Sequence, residues 1–259
     1  MARVSYCSDS TIIEAWATVR GVPVPLDEDE APGLVLAAKK VIPTLADEAS
    51  VVVARIPDPR QPVPAFWNRQ VSWDQGRCLS RVGHRYLSVH VLADDGRKYE
   101  RYEESFLPSF RQWLELFRAF YGGGVIRPQV DAMSFGYVNA FRFPVRDFDL
   151  SQAFRLNIGV DVESAKDGLS GMDLRFAFRA GAGEAVSVQV TVGTLGADLE
   201  MLEVKTKVSA ESHALGSLFL DDPERIENRV HAAKETAKRV FFEIATASTH
   251  EQMGAHYDD

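Results

Sequence analysis

Four segments in the last hundred residues alternate between apolar and polar side chains, and a chain that does this repeatedly is committed to a sheet with one covered face. Residues 154–162 place Phe154, Leu156, Ile158, Val160 and Val162 on one side and Arg155, Asn157 and Asp161 on the other. Residues 172–179 set Met172, Leu174, Phe176 and Phe178 against Asp173, Arg175 and Arg179. Val186, Val188, Val190 and Val192 then oppose Ser187, Gln189 and Thr191, and Leu202, Val204 and Val208 oppose Glu203, Lys205 and Lys207. Successive strand residues point to opposite faces, so this period predicts antiparallel strands with an apolar face packed inward. A cover is legible as well. After Asp221-Asp222-Pro223, a cap with proline at the first helical position, Ile226, Val230, Ala233, Ala237, Val240, Phe241 and Ile244 recur at steps of three and four. That stripe predicts a long C-terminal helix packed on the sheet.

The first half uses the same materials. Thr11 to Arg20 reads as a strand with Ile13, Ala15, Ala17 and Val19 on one face and Glu14, Trp16 and Thr18 on the other. The acidic run 27–30 complements the start of a short helix through Leu34, Ala37, Ala38 and Val41, which Pro43 ends. Val51 to Ala54 reads as a short strand, and Pro57, Pro59, Pro62 and Pro64 as an extended loop. Residues 79–92 read as one strand, with Leu87, Val89 and Val91 facing one way and His84, Tyr86, Ser88 and His90 the other. Asp94-Asp95-Gly96 marks a turn, and the charged connection 97–104 a solvated loop. Phe110, Trp113, Leu114, Phe117, Phe120 and Tyr121 form a helical stripe that stops at the C-capping glycines 122–124. On the strand 133–143, Asn139 shares an apolar face with Phe135, Tyr137, Phe141 and Phe143 and reads as a satisfied core amide. The expected fold is α+β: a mostly antiparallel sheet in two sheet-plus-helix halves, 1-145 and 146-259, within a single unit.

Composition excludes several classes. With 46% hydrophobic and 25% charged residues the chain is neither disordered nor membrane-spanning. A net charge of -8 argues against nucleic acid as the partner, because phosphate neutralisation carries most of that binding. Cys7 and Cys78 have no CxxC partner, the start lacks a signal-peptide apolar core, and no apolar run reaches membrane length, so the expected location is cytoplasmic.

Motifs for chemistry are missing. His84 and His90 lie six positions apart, about 20 Å along a strand, too far to share a metal. His250 and His256 fall in a polar tail, and His231 lies on the long helix without an HExxH pattern. There is no GxSxG, no GxxxxGK[ST] and no GxGxxG after a strand, and Gly181-Ala182-Gly183 reads as a hairpin turn. No catalytic, cofactor or metal residue is therefore nominated. The one surface with collective character is the polar sheet face bearing Arg155, Asp173, Arg175, Arg179, Glu203, Lys205 and Lys207, either hydrated or covered by a second copy or another protein.

Three stretches resemble a family of sporadically distributed, uncharacterised prokaryotic proteins of about this length. Thr11-Ile12-Ile13-Glu14-Ala15 is similar to its opening strand, Phe135-Gly136-Tyr137-Val138-Asn139 to its central strand, and Val240-Phe241-Phe242-Glu243-Ile244-Ala245-Thr246 to the end of its closing helix. Gly136 stands where that family has arginine. The patchy distribution implies an accessory system such as a defence or toxin–antitoxin locus. The leading expectation is thus a non-catalytic interaction or regulatory protein, self-associating as a homodimer or binding another protein. The alternative is a small-ligand-binding protein or enzyme with a pocket between the sheet and the C-terminal helix, where Ala232, Ala233 and Ala237 either permit close packing or leave room.

Overall fold

The period-two segments become hydrogen-bonded strands, and their pairing shows which faces are shared. The computed structural model describes residues 4–7, 10–21, 40, 54–56, 68–83, 86–94, 97–121, 129–145, 148, 150–156, 171–180, 184–195, 198–213 and 218–257. Its strands are β1 (Val4–Cys7), β2 (Ile12–Gly21), β3 (Ala54–Ile56), β4 (Asn68–Trp73), β5 (Cys78–Gly83), β6 (Tyr86–Leu92), β7 (Val130–Pro144), β8 (Gly171–Ala180), β9 (Glu184–Leu195), β10 (Asp198–His213) and β11 (Ala255–Tyr257). Nine of them form one sheet in the order β3-β4-β5-β6-β2-β7-β10-β9-β8, and β1 pairs with β11 in a separate ribbon. Every pairing among the described strands is antiparallel. The α+β class and the mostly antiparallel sheet follow from the alternation.

The helices are α1 (Leu107–Tyr121), entered through a π-helical turn at Tyr102–Phe106, then α2 (Leu150–Ala153), α3 (Pro223–Ile244) and α4 (Ala247–Gln252). No helix among the described residues is long and apolar enough to cross a membrane. α1 packs near β6, and its rings stack in series: Phe106 on Phe110, Phe110 on Trp113 and Trp113 against Phe117, with centroids 5.7, 5.5 and 5.3 Å apart. Trp113 Nε1 donates to Ser80 Oγ at 2.8 Å, which satisfies the indole in a buried seam. α3 packs on β7 and β10 through Ile226, Val230, Ala233, Ala237, Val240 and Phe241, while Ala232 is exposed. Its start is fixed by Asp222, whose side chain accepts from Arg225 N, and by Pro223.

Several local expectations are corrected. Residues 79–92 contribute to two strands, because Gly83 pairs with Tyr86 and the buried positions change phase between Ser80 and Val89; His84 lies outside the described residues. Cys78 and Ser80 consequently share the core face with Val91 and Val89. Ile13 is 36% exposed instead of buried: the register between β2 and β7 jumps from Ile12↔Asn139 to Glu14↔Val138, so Ile13 is the extra residue of a bulge. Residues 97–104 are not merely solvated, since Tyr99 and Tyr102 are buried. The tail is not loose either. His250 lies on α4, 8% exposed and against the Phe242 ring at 5.4 Å, and His256 lies on β11. Phe154 makes only an isolated bridge to Ala245, and residues 157–162 of that expected strand lie outside the described residues. So do the acidic run 27–30, residues 51–53, prolines 57–64, glycines 122–124 and the 181–183 turn. Of the expected helix 34–41 only Lys40 is described.

Candidate functional site

β7 carries Phe135, Tyr137 and Asn139 on the face that α3 covers, and α3 presents Phe241 and Phe242 together with Lys234 and Lys238. Between them lies a cavity of ≈ 530 Å³, within the size range of small-molecule sites. Ser10, Thr11 and Ile12 close one side, Tyr99 to Glu103 another, and Met253 completes the lining. The bulge at Ile13 matters here, because it returns Ile12 to the face of Asn139, its cross-strand partner.

Asn139 is 1% exposed and only half satisfied. Thr11 Oγ1 donates to its Oδ1 at 3.0 Å, whereas Nδ2 has no partner among the described residues. The expectation of a satisfied core amide is corrected accordingly. Thr206, directly across on β10, also keeps a buried hydroxyl unpaired, and the two side chains do not bond each other. The Tyr102 hydroxyl is a third buried group without a partner. Burial drives the Tyr99 and Tyr102 phenols far above the ordinary tyrosine range, with the nearby Glu103 carboxylate adding to the shift, so both stay protonated. Leaving such groups unpaired costs roughly 1–3 kcal/mol each.

The two lysines differ. Lys234 is engaged three ways, with Glu235 at 2.8 Å, Glu103 at 3.7 Å and the Tyr102 ring at 4.8 Å. Lys238, one turn on, is half-buried and has no ion-pair partner among the described residues. His231 is exposed with its ring against Tyr102.

The other face of the sheet holds a chain that sequence reasoning overlooked. Ser88 Oγ lies 3.0 Å from His90 Nε2, and His90 Nδ1 lies 2.7 Å from Glu14 Oε1. The connectivity is that of a nucleophile, base and orienting acid. Ser88 is 3% exposed, however, so its hydroxyl offers a substrate no approach, and the chain acts as a tie between β2 and β6. The His90 hydrogen bond holds the Glu14 carboxyl below its ordinary range despite partial burial. Beside it Trp16 lies over Gly136: a Cβ at that glycine would sit 2.4 Å from the indole, which is why this chain has no room for a side chain there. Lys207 Nζ covers the Trp16 ring at 4.5 Å.

The sequence-nominated polar face is partly assembled. Asp173, Arg175 and Arg179 on β8 and Glu203, Lys205 and Lys207 on β10 flank β9, and in register Asp173 and Lys205 both pair with Thr191. Arg175 pairs with Asp173 at 2.9 Å, Gln189 donates to Asp173 at 3.0 Å and Lys205 meets Glu203 at 2.6 Å. Arg155 stands apart, in the segment after α2, where its backbone N donates to Ile244 O.

Among the described residues no group of histidine, cysteine, aspartate and glutamate is placed to hold a metal ion. Cys78 is a buried free thiol near Ser109 Oγ, at 3.3 Å, and burial pushes its pKa up, away from nucleophilic chemistry. Sequence reasoning missed Tyr99, Tyr102 and Lys238. The signal available was two tyrosines three apart in a charged stretch, and lysines at i, i+4 flanking the apolar stripe. Compared with known proteins, the chain matches no family model and no curated protein.

Proposed function

We propose that the chain is a small-ligand-binding protein whose ligand occupies the cavity between β7 and α3. The observation that carries this is the cavity itself, ≈ 530 Å³ between the sheet and the helix, walled by Phe135, Tyr137 and Phe241 and bordered by Lys234 and Lys238. A closely packed seam would have spoken for a pure interaction protein. The resemblance to the sporadically distributed prokaryotic family belongs to the same proposal. Its three segments converge on the cavity, contributing Thr11 and Ile12, then Phe135, Tyr137 and Asn139, then Phe241 and Phe242. In an accessory bacterial system such a protein acts as a sensor or regulator. The test is extraction of the protein purified from a native-like host, followed by mass spectrometry of what it releases. A co-purifying small molecule that raises the melting temperature, and an Ile12→Trp variant that retains the fold but loses both, are expected. An empty protein whose melting temperature no compound in a broad metabolite set changes would overturn the proposal.

The strand order supports the two-half architecture. β2-β6-β5-β4 on one side, with β3 as an additional edge strand, mirrors β7-β10-β9-β8 on the other, about the β2–β7 pair. In that reading β7 belongs with the second half, so the proposed divide falls before Val130 and not at residue 145.

A second reading, association with a protein partner or a second copy, is favoured by one observation. Phe178 on β8 is 41% exposed and stacks on Phe176 at 6.4 Å, at a strand that has a neighbour on only one side among the described residues. Light scattering at several concentrations tests it.

A further inference from the structure

We infer that two copies of this chain pair β8 to β8, edge to edge and antiparallel, about a two-fold axis at Phe176, which rests on the reading of association with a second copy and is independent of the ligand. β8 closes one end of the sheet with ten residues in unbroken register on β9, and its other backbone edge has no strand partner among the described residues. Open edges are ordinarily kept short, bulged, or guarded by lysine or proline. β3, at the opposite end, is three residues long, whereas β8 has no bulge, no lysine and no proline. Its inward row is also incompletely covered. Met172, Leu174 and Phe176 are half-buried and Phe178 is 41% exposed, because α3 lies over β7 and β10, with β9 between.

The order of residues along β8 selects its own copy as the occupant. In a two-fold antiparallel pair, residues directly opposite share a face, so the axis passes through one residue and the rest pair across it at equal steps. An axis at Arg175 sets that arginine against its twin, and an axis at Ala177 sets Arg175 against Arg179; like charges directly opposite oppose pairing. An axis at Leu174 carries Phe178 past the end of the partner strand. With the axis at Phe176, Asp173 meets the partner's Arg179 and Leu174 covers the partner's Phe178, each contact made twice, while Arg175 meets alanine. Every residue from Met172 to Ala180 then has a counterpart.

Arg179 is exposed and has no ion-pair partner among the described residues. Glu211, on the same face, is two strands away across Ala185 and is already held by Arg20 at 3.3 Å and His213 at 3.0 Å. Glu184 is taken by the Thr236 hydroxyl on the helix side. Asp173 accepts from Arg175 and Gln189, and a carboxylate has room for a further donor.

The test mixes two charge variants of the full chain. Light scattering across a concentration series is expected to give the dimer mass for the parent. Asp173→Arg alone and Arg179→Asp alone each set like charges together twice, so the dissociation constant should rise at least about tenfold in either. Mixed in equal amounts, the two variants meet only opposite charges and are expected to recover the parent's dimer. Both side chains are exposed, so circular dichroism should show the parent's fold in each variant. A parent dimer that neither variant weakens would leave association standing and overturn β8 as its contact. Variants that are monomeric alone and stay so when mixed would overturn the Phe176 register. A parent that is monomeric at every concentration overturns both the pairing and the second copy.

Discussion

The two helix–sheet seams are built from opposite choices. Under α1, large rings interlock in series and the one polar group among them, the Trp113 indole, is met by Ser80. Under α3, the helix brings Ala233 and Ala237 to the sheet, its large rings sit at one end, and the polar groups Asn139 and Thr206 go unmatched. The first seam interlocks rings and pairs the Trp113 indole, with Trp73 Nε1 beside it left unmatched; the second borders the cavity and leaves Asn139 and Thr206 unmatched. The contrast teaches that within one sheet side-chain volume decides which seam closes: rings in series fill the space under one helix, and alanines leave space beside the other.

Ring truncation sharpens the comparison most. Phe117→Ala in the filled seam is expected to cost about 4–5 kcal/mol, and Phe241→Ala only about 3 kcal/mol, because a ring that borders a void has fewer partner atoms to lose. Denaturant titrations giving equal values would mean that the second seam is filled in solution. Polar deletion comes next. Ser80→Ala strands the buried Trp113 N–H and is expected to cost about 1–3 kcal/mol, whereas Asn139→Leu removes a group already stranded and should lie within about 1 kcal/mol of the parent or above it. A large loss from Asn139→Leu in ligand-free protein would break the contrast.

Acid supplies a smaller effect. Burial depresses the His250 pKa below its usual 6.5, so the fold prefers the neutral ring packed on Phe242. The unfolded chain then binds the proton more readily. The contribution is fully present above the unfolded pKa and is lost as pH falls from about 6.5 through the depressed folded value. Denaturant midpoints should decline over that window, and His250→Phe should flatten the decline. Glu14, held low by His90, adds a loss only below the ordinary carboxylate range. The smallest effect belongs to the polar face, where Arg175→Glu with Lys205→Glu breaks exposed pairs and should leave both melting temperature and mass nearly unchanged. A drop in mass by light scattering would instead assign the face to an interface.

The sheet was legible because alternation is written into single residues: Val186 to Val192 and Phe135 to Phe143 declare their buried face without help from the rest of the chain. What was not legible depends on the partner strand. The bulge that turns Ile13 outward, and with it the placement of Ile12 on the cavity, exists only in the register with β7. The phase change at Gly83 looked like continued alternation because Leu87 to Val91 are in phase with one another. The cavity was harder still, since its lining comes from five separated stretches. Asn139 was visible as an amide on an apolar face, but its unmet N–H depends on Thr11 having taken the oxygen.

The ribbon of β1 and β11 has a mechanical meaning. Val4 pairs with Tyr257 and Cys7 with Ala255, so any chain preceding the first or following the last leaves from the same end. A force applied across those two points would open the ribbon one residue pair after another, like a zipper, instead of shearing it all at once. The opening runs toward Ser10 and Met253, both on the cavity wall. Under the proposed function, a ligand that grips that wall would raise the force at which the zipper runs through.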